Sequence, residues 1–305
     1  MMRVVMVGPF GFHPNKTMRS RALPLARGLV ARGHEVLVVM PPWQTPAEGG
    51  RRWVEDGVSV SYVTLGGGIV GITRRLVGGV RAWEPDIVHC FKPKAYSGLV
   101  SWWLWQRGWR QGLVMDTDDW EGWGGWNERA DYSWSQKHFF AWQERWGLTH
   151  CSGVTVASRH LETLVWGLGV AREKVAYVPN GSGLRWPVAE ASGLRAELGW
   201  EKRPILLLYS RLFEFDVSRL TRILERVREQ VPDLAILSIG TGLFAEEAAQ
   251  LREEWQVAGL LESVHDLGWV EEQLLPGVLA VADVGIYLMD DTLLNRTKCP
   301  VKLAD

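Results

Sequence analysis

"RVVMVGPFGFHPNKTMRSRALPLARGLVARGHEVLVVM", residues 3–40, decides the fold class. Arg3–Val7 is a β-branched run that stops at Gly-Pro, the pattern of a strand buried on both faces. Residues 18–32 then carry apolar side chains at Leu23, Leu25, Ala26, Leu29 and Val30, which share one helical face, and end at Gly33 in the C′ position. Glu35–Met40 is a second buried run. Strand, loop, helix, strand is one parallel crossover unit.

The same alternation continues outward. Strands are expected at Val58–Thr64, Asp86–Cys90, Gly112–Asp116, Gly153–Ala157 and Lys174–Val178, with helices over 69–83, 94–108, 132–148 and 158–168. Around 179–193 the pattern lapses into Pro, Gly and Ser. It restarts with strands at Ile205–Tyr209, Leu234–Ile239, Val264–Leu267 and Val284–Met289 and helices over 217–230, 244–256 and 271–281. The expectation is α/β: a domain over 1–180, a linker over 181–202 and a second domain over 203–305, with a ligand cleft at the carboxyl ends of the strands. The second domain has four expected strands, and the closing "VKLAD" reads as the start of an unfinished helix, so the chain is expected to be truncated.

Composition narrows the class. The formal net charge of −1 gives no global field for nucleic acid. Cys90, Cys151 and Cys299 are scattered and odd in number, which fits a reducing cytoplasm rather than a disulfide framework. The first apolar run is too short for a signal peptide, and no stretch nears the ~20 apolar residues of a membrane span. Tryptophan is abundant, at 18 residues. The stretches 101–110 and 73–83 mix Trp with Arg, the composition of an interfacial surface, so peripheral contact with the inner face of a membrane is carried beside the plainer reading of helices covering a sheet.

Residues 115–126, "MDTDDWEGWGGW", place Asp116, Asp118 and Asp119 at the end of an expected strand, followed by three glycines and three tryptophans. A metal, a cation or a sugar would suit such a pocket. The loop from Gly8 to Thr17, with Gly11 and His13, and the cations Arg19 and Arg21 behind it, lies at the end of the first strand. It lacks GxGxxG, and the second strand ends in "VVMPP" where a ribose-binding carboxylate is needed, so nicotinamide chemistry is set aside. The P-loop pattern is absent too.

"VASRHLETLVWGLGVAREKVAYVPNG" (156–181), "LLLYSRL" (206–212), "SIGTG" (238–242) and above all "VHDLGWVEEQLLPGVLAVADVGIYL" (264–288), with "GHEVLVV" (33–39), are similar to family 4 of the retaining glycosyltransferases. The resemblance implies the GT-B fold, two Rossmann-like doubly wound domains facing a cleft, the second incomplete here. It implies an enzyme that moves a sugar from a nucleotide-diphosphate sugar to a carbohydrate, lipid-linked or small-molecule acceptor with retention. No cofactor beyond the donor and no metal is implied. The acidic DxD spacing of the other large glycosyltransferase fold is discounted, because phosphates in GT-B are met by side chains and helix N-termini.

Residue by residue, the resemblance implies that Arg211, Lys298 and Lys302 meet the diphosphate, that Asp305 stands where the family has a ribose-binding Glu, and that Gly240 and Gly242 admit the nucleotide closely. Two positions depart from the family pattern: Asp216 replaces a phosphate-binding Lys, and Thr297 replaces the first Glu of the donor pair. Asp118 and Asp119 occupy the place of a His-Asp pair that faces the transferred sugar, with Asp116 just before them. Gly11, His13, Arg21, Trp120 and Trp123 are expected on the acceptor side. Two rivals remain: a nucleotide-sugar epimerase on the same fold, and a non-catalytic nucleotide- or sugar-binding protein.

Overall fold

The computed structural model describes residues 1–184, 192–240 and 245–305. The expected Gly242 and part of the expected linker, 185–191, lie outside the described residues. The chain divides into two compact units, Met1–Gly181 with Arg296–Pro300 and Ser182–Asn295 with Val301–Asp305.

Unit 1 is built on a sheet of eight strands: β1 (Arg3–Val7), β2 (Glu35–Met40), β3 (Arg52–Glu55), β4 (Val58–Tyr62), β5 (Ile87–Phe91), β6 (Leu113–Thr117), β7 (Gly153–Val156) and β8 (Val175–Tyr177), in the order β3-β4-β2-β1-β5-β6-β7-β8. All neighbours pair in parallel except β3 with β4. The order reverses beside β1, the switch point at which ligands sit in such sheets. Helices α1 (Leu23–Val30), α2 (Gly68–Ala82), α3 (Ala95–Gln106), the short α4 (Trp126–Arg129), α5 (Trp134–Thr149) and α6 (Arg159–Gly167) complete the unit. Two cores form, one on each face of the sheet. Met6, Met18, Leu23, Val38 and Phe91 belong to one, and Val5, Leu76, Val88, Leu104 and Met115 to the other.

Ahead of α1, Met18–Ala22 is a π-turn. Such widened turns re-aim side chains and recur at functional sites; this one carries Arg21, which is buried. α5 opens with a capping box, Ser133 accepting from the Gln136 backbone while Gln136 reaches back to Ser133 N.

Unit 2 holds a parallel four-stranded sheet of β9 (Ile205–Tyr209), β10 (Ala235–Ile239), β11 (Val264–Asp266) and β12 (Val284–Ile286), in the order β11-β10-β9-β12. Its helices are α7 (Ser192–Glu197), α8 (Val217–Gln230), α9 (Ala245–Val257) and α10 (Leu275–Leu279), with α11 (Leu293–Thr297) continuing the chain. α7 falls inside the span read as a linker. α8 packs Leu220, Leu224 and Val217 against Leu208 and Ile236 of the sheet. No helix among the described residues is long and apolar enough to cross a membrane.

Candidate functional site

The carboxyl ends of β9 and β10 carry the cationic group of unit 2. Gly240 directly follows β10 and adopts φ +82°, a backbone region that side chains disfavour. A Cβ there would stand 3.2 Å from the Lys302 ammonium, which lies against this turn. Lys302 Nζ also lies over the Tyr209 ring, 4.2 Å from its centroid, as a cation–π contact. Burial, then the neighbouring Arg211 charge, lower the Lys302 pKa to about 8, with Glu214 and Asp305 only partly offsetting this. Arg211 sits two residues beyond β9 and is exposed.

Asp305 accepts from the Ser182 hydroxyl at 2.7 Å, and burial raises its pKa. Arg211, Lys302, Gly240 and Asp305 therefore share unit 2. Lys298 does not: it belongs to unit 1, its ammonium 5.3 Å from the centroid of Trp126. Asp216, at the position of the family's lysine, N-caps α8 by accepting from Ser218 N at 3.1 Å.

Unit 1 gathers its charge at the ends of β5 and β6. Phe91 pairs with Asp116 across these strands. That register brings the residues that follow, Lys92 and Lys94 on one side and Asp118, Asp119 and Glu121 on the other, into one group. Lys92 is buried, with a left-handed backbone at φ +56° and its N–H on Asp116 O at 2.9 Å. Its ammonium bonds Glu121 at 2.8 Å, stands 3.6 Å from Asp119, and pairs with Asp118 Oδ1 at 2.9 Å by charge without hydrogen-bond alignment. Lys94 holds the other oxygen of Glu121 at 2.6 Å.

Burial works against the charge on Glu121, but Lys92 and Lys94 outweigh it and hold the carboxyl at about 2. Burial likewise opposes the Lys92 charge, and Asp118, Glu121 and Asp119 raise its pKa well above the ordinary lysine value. Asp119 is pushed up to about 6, first by burial and then by Asp118 and Glu121, while Lys92 pulls the other way. Glu144, fully buried on α5, has its pKa raised well above the ordinary glutamate value, first by burial and then by Glu121.

Asp116 faces elsewhere. It is fully buried and takes both forks of Arg21, Nε to Oδ1 and Nη2 to Oδ2, each at 2.7 Å. Burial raises its pKa, but Arg21 outweighs burial and keeps it below the ordinary value. Thr155 Oγ1 donates to Asp116 at 2.5 Å, and His89 Nε2 lies 2.9 Å from the same hydroxyl. Burial holds His89 at about 4, so its ring is neutral, and its proton is assigned to Nε2 because Thr155 gives its own to Asp116. The remaining Arg21 nitrogen donates to Val178 O at 2.9 Å and Asn180 Oδ1 at 2.8 Å. Asn180 in turn donates to Cys299 O at 2.7 Å, which ties the segment 296–300 to unit 1. Asp116 and Asp118 thus point into different ion pairs and do not converge. Among the described residues no group of three His, Cys, Asp or Glu side chains is placed to hold a metal ion.

The Gly-Trp loop is folded on itself. The Trp120 indole N–H donates to Trp123 O at 2.8 Å, and Trp120 N donates to Thr297 Oγ1 at 3.4 Å. Any Cβ on Gly125 would lie 2.1 Å from Trp120 O, so only glycine lets the loop close there. The Trp120 ring packs on the unit 1 core, whereas Trp123 is exposed, edge-on to His138 at 5.0 Å. Gly11 is buried against Tyr62, whose hydroxyl accepts from Phe12 N at 2.9 Å, and His13 is exposed in the same loop. Lys92, Lys94, Glu121 and Glu144 were not singled out from sequence; the one available signal was "FKPK" (91–94), two lysines directly after a buried strand.

The model of the family described as glycosyl transferase 4-like domain matches residues 17–181, more than half of the chain. No curated protein matches the sequence. Among solved structures, sucrose-phosphate synthase from Thermosynechococcus elongatus is similar at a TM-score of 0.66 and 17% identity, over 93% of this chain and 75% of that one. HepE of Anabaena, solved with UDP and glucose, is similar at 0.66 and 18%, over 95% and 74%. UDP-GlcNAc 2-epimerase from Neisseria meningitidis, bound to UDP-GlcNAc, is similar at 0.57 and 10%, over 93% and 76%. These likenesses show the fold, α/β of the GT-B type.

Proposed function

Because the chain belongs to the glycosyl transferase 4-like family, we propose that it transfers a glycosyl group from a nucleoside-diphosphate sugar to a hydroxyl acceptor. The observation that carries this reading is the Arg211–Lys302 pair at the Gly240 turn of unit 2. In the reaction the bond from the anomeric carbon to the diphosphate oxygen breaks and the oxygen keeps the electron pair. The acceptor oxygen bonds the same carbon and loses its proton. Negative charge grows on the diphosphate as the bond breaks, and Arg211 and Lys302 neutralise it, Arg as a fork and Lys as a point charge. Charge neutralisation is thereby assigned to side chains.

Unit 1 is assigned the acceptor. Asp118 and Asp119 are assigned to hydroxyl groups of the sugar or acceptor, and Asp119 is the group suited to take a proton near neutral pH. Retention rests on the family resemblance. HepE was solved with UDP-glucose, so uridine diphosphate is the first donor class to try. The acceptor class, carbohydrate, lipid-linked or small molecule, is left to assay. A second reading, epimerisation, is kept because epimerases are among the structural likenesses.

A thermal-shift panel of uridine, guanosine and adenosine diphosphates and their sugars tests the reading. One base is expected to raise Tm, and Arg211→Ala is expected to cost about 10- to 100-fold in affinity for it, the value of a charge-assisted hydrogen bond. No shift with any nucleotide would contradict the donor assignment. A changed sugar released from donor alone, without acceptor, would favour the epimerase.

A further inference from the structure

We propose that the arginine-lined pocket at the C-terminal end of α3 binds the phosphate of an anionic phospholipid headgroup, and that the aromatic rings beside it rest in the bilayer interface. This does not rest on the transferase reading.

The pocket has a volume of about 560 Å³. Arg81 from the last turn of α2, Arg107 and Arg110 line it, with Trp103 and Trp109 as apolar walls, and no acidic side chain does. None of the three arginines forms an ion pair with a described residue. Arg107 lies over Trp103 at 5.6 Å and Arg110 over Trp105 at 5.3 Å from the ring centroids. From Gly57 to Met115 the chain has two acids, Glu84 and Asp86, against seven Lys and Arg. Both acids are engaged by Arg3, Glu84 by its side chain at 3.8 Å and Asp86 by its backbone N–H at 2.7 Å. Three guanidinium forks with no acid among the lining residues suit the several acceptor oxygens of a phosphate.

The surface next to the pocket argues for a bilayer rather than a soluble phosphate. Trp105 meets Trp146 and His150 edge-on at 6.4 and 5.5 Å. From there α5 presents a run of rings, with Trp146 stacked on Trp142 at 5.9 Å and Trp142 on Phe139 at 5.8 Å. α5 turns Gln143 and Glu144 inward while Trp134, Phe139 and Trp142 are 74, 40 and 44% exposed. α3 buries Val100 and Leu104 with Ser97 and Ser101 and leaves Trp102 exposed. These exposed rings are apolar surface that a water-facing helix does not need. Tryptophan is the side chain whose apolar body and polar edge suit the headgroup level, and rings plus cations give the two signals that stable attachment needs.

Sedimentation with vesicles tests this. The protein is expected to bind phosphatidylcholine vesicles containing phosphatidylglycerol, to ignore pure phosphatidylcholine, and to release as salt rises. Replacing one arginine by glutamine should weaken binding about fivefold, and Arg81→Gln/Arg107→Gln/Arg110→Gln together on the order of 100-fold. Phe139→Ala/Trp142→Ala should also weaken it. All five positions are exposed, and unchanged thermal unfolding of the variants shows that their fold is kept. Equal binding to both vesicle types, or a triple variant that binds like wild type, overturns the proposal. So does binding of glycerol 3-phosphate without any vesicle binding, which would mark the pocket as a site for a soluble phosphate.

Discussion

Arg21→Met is expected to lower the unfolding free energy of unit 1 by about 3–5 kcal/mol, the cost of leaving a buried charge without its partner. Among the described residues no other Arg or Lys pairs with Asp116, and it has no exposure to water. The variant also strips donors from Val178 O and Asn180 Oδ1, so the bonds that tie 296–300 to unit 1 loosen with it. Replacing both partners, as Arg21→Met/Asp116→Leu, should recover part of the loss, since no buried charge is then left without its partner, while Val178 O, Asn180 Oδ1 and the Thr155 hydroxyl still lose theirs. Denaturant unfolding of wild type, the single and the double variant measures this. A single variant as stable as wild type would show that the pair does not hold the carboxyl ends of these strands together. On this account Arg21 and Asp116 frame the site, and chemistry falls to the residues that follow.

Asp118→Asn is expected to keep nucleotide affinity and to lose turnover by about 10²- to 10⁴-fold, the range for a positioned acid–base or hydroxyl-binding carboxylate. Lys92 retains Glu121 at 2.8 Å, so the cluster keeps its main bond and the fold is preserved. The nucleotide site is unaffected because Arg211, Lys302 and Gly240 belong to unit 2. Steady-state kinetics beside direct nucleotide titration separate the two effects. Full turnover in the variant would remove Asp118 from the reaction. A parallel fall in nucleotide affinity would place it with the donor instead.

Much of the fold was legible because buried parallel strands are continuous apolar runs. β1 and β2 stand where their runs begin and end, and Gly33, at φ +82°, ends the helical pattern as its position implied. β3 was invisible. "RWVE" is short, charged at both ends and lies on the antiparallel edge, so its pairing with β4 rather than its own composition makes it a strand. The helix expected over 271–281 is confined to Leu275–Leu279, where Pro276 sits in the first turn. The π-turn that aims Arg21 has no sequence signature of its own.

The candidate site was legible in its charges and illegible in its pairings. Asp116, Asp118 and Asp119 read as one acidic cluster. Their partners come from 95 residues away in Arg21, and from the neighbouring strand in Lys92. A register fixed by backbone bonding, Phe91 opposite Asp116, decides those pairings, and it cannot be counted off along the chain. For the same reason Lys298 and Lys302, four residues apart, read as one basic tail although they belong to different units.

The most direct test of the central claim is calorimetric titration of the intact protein with the diphosphate that the panel identifies, at several pH values and in two buffers of different ionisation enthalpy. Lys302, held at about 8, is charged below that pH and must take up a proton above it to meet an anion. Affinity should therefore be highest below about pH 8 and fall up to about tenfold between about pH 7 and about pH 9, with proton uptake on binding at the upper end. Affinity that is flat across this range, with no proton uptake, would contradict the assignment of the diphosphate to Lys302 and Arg211.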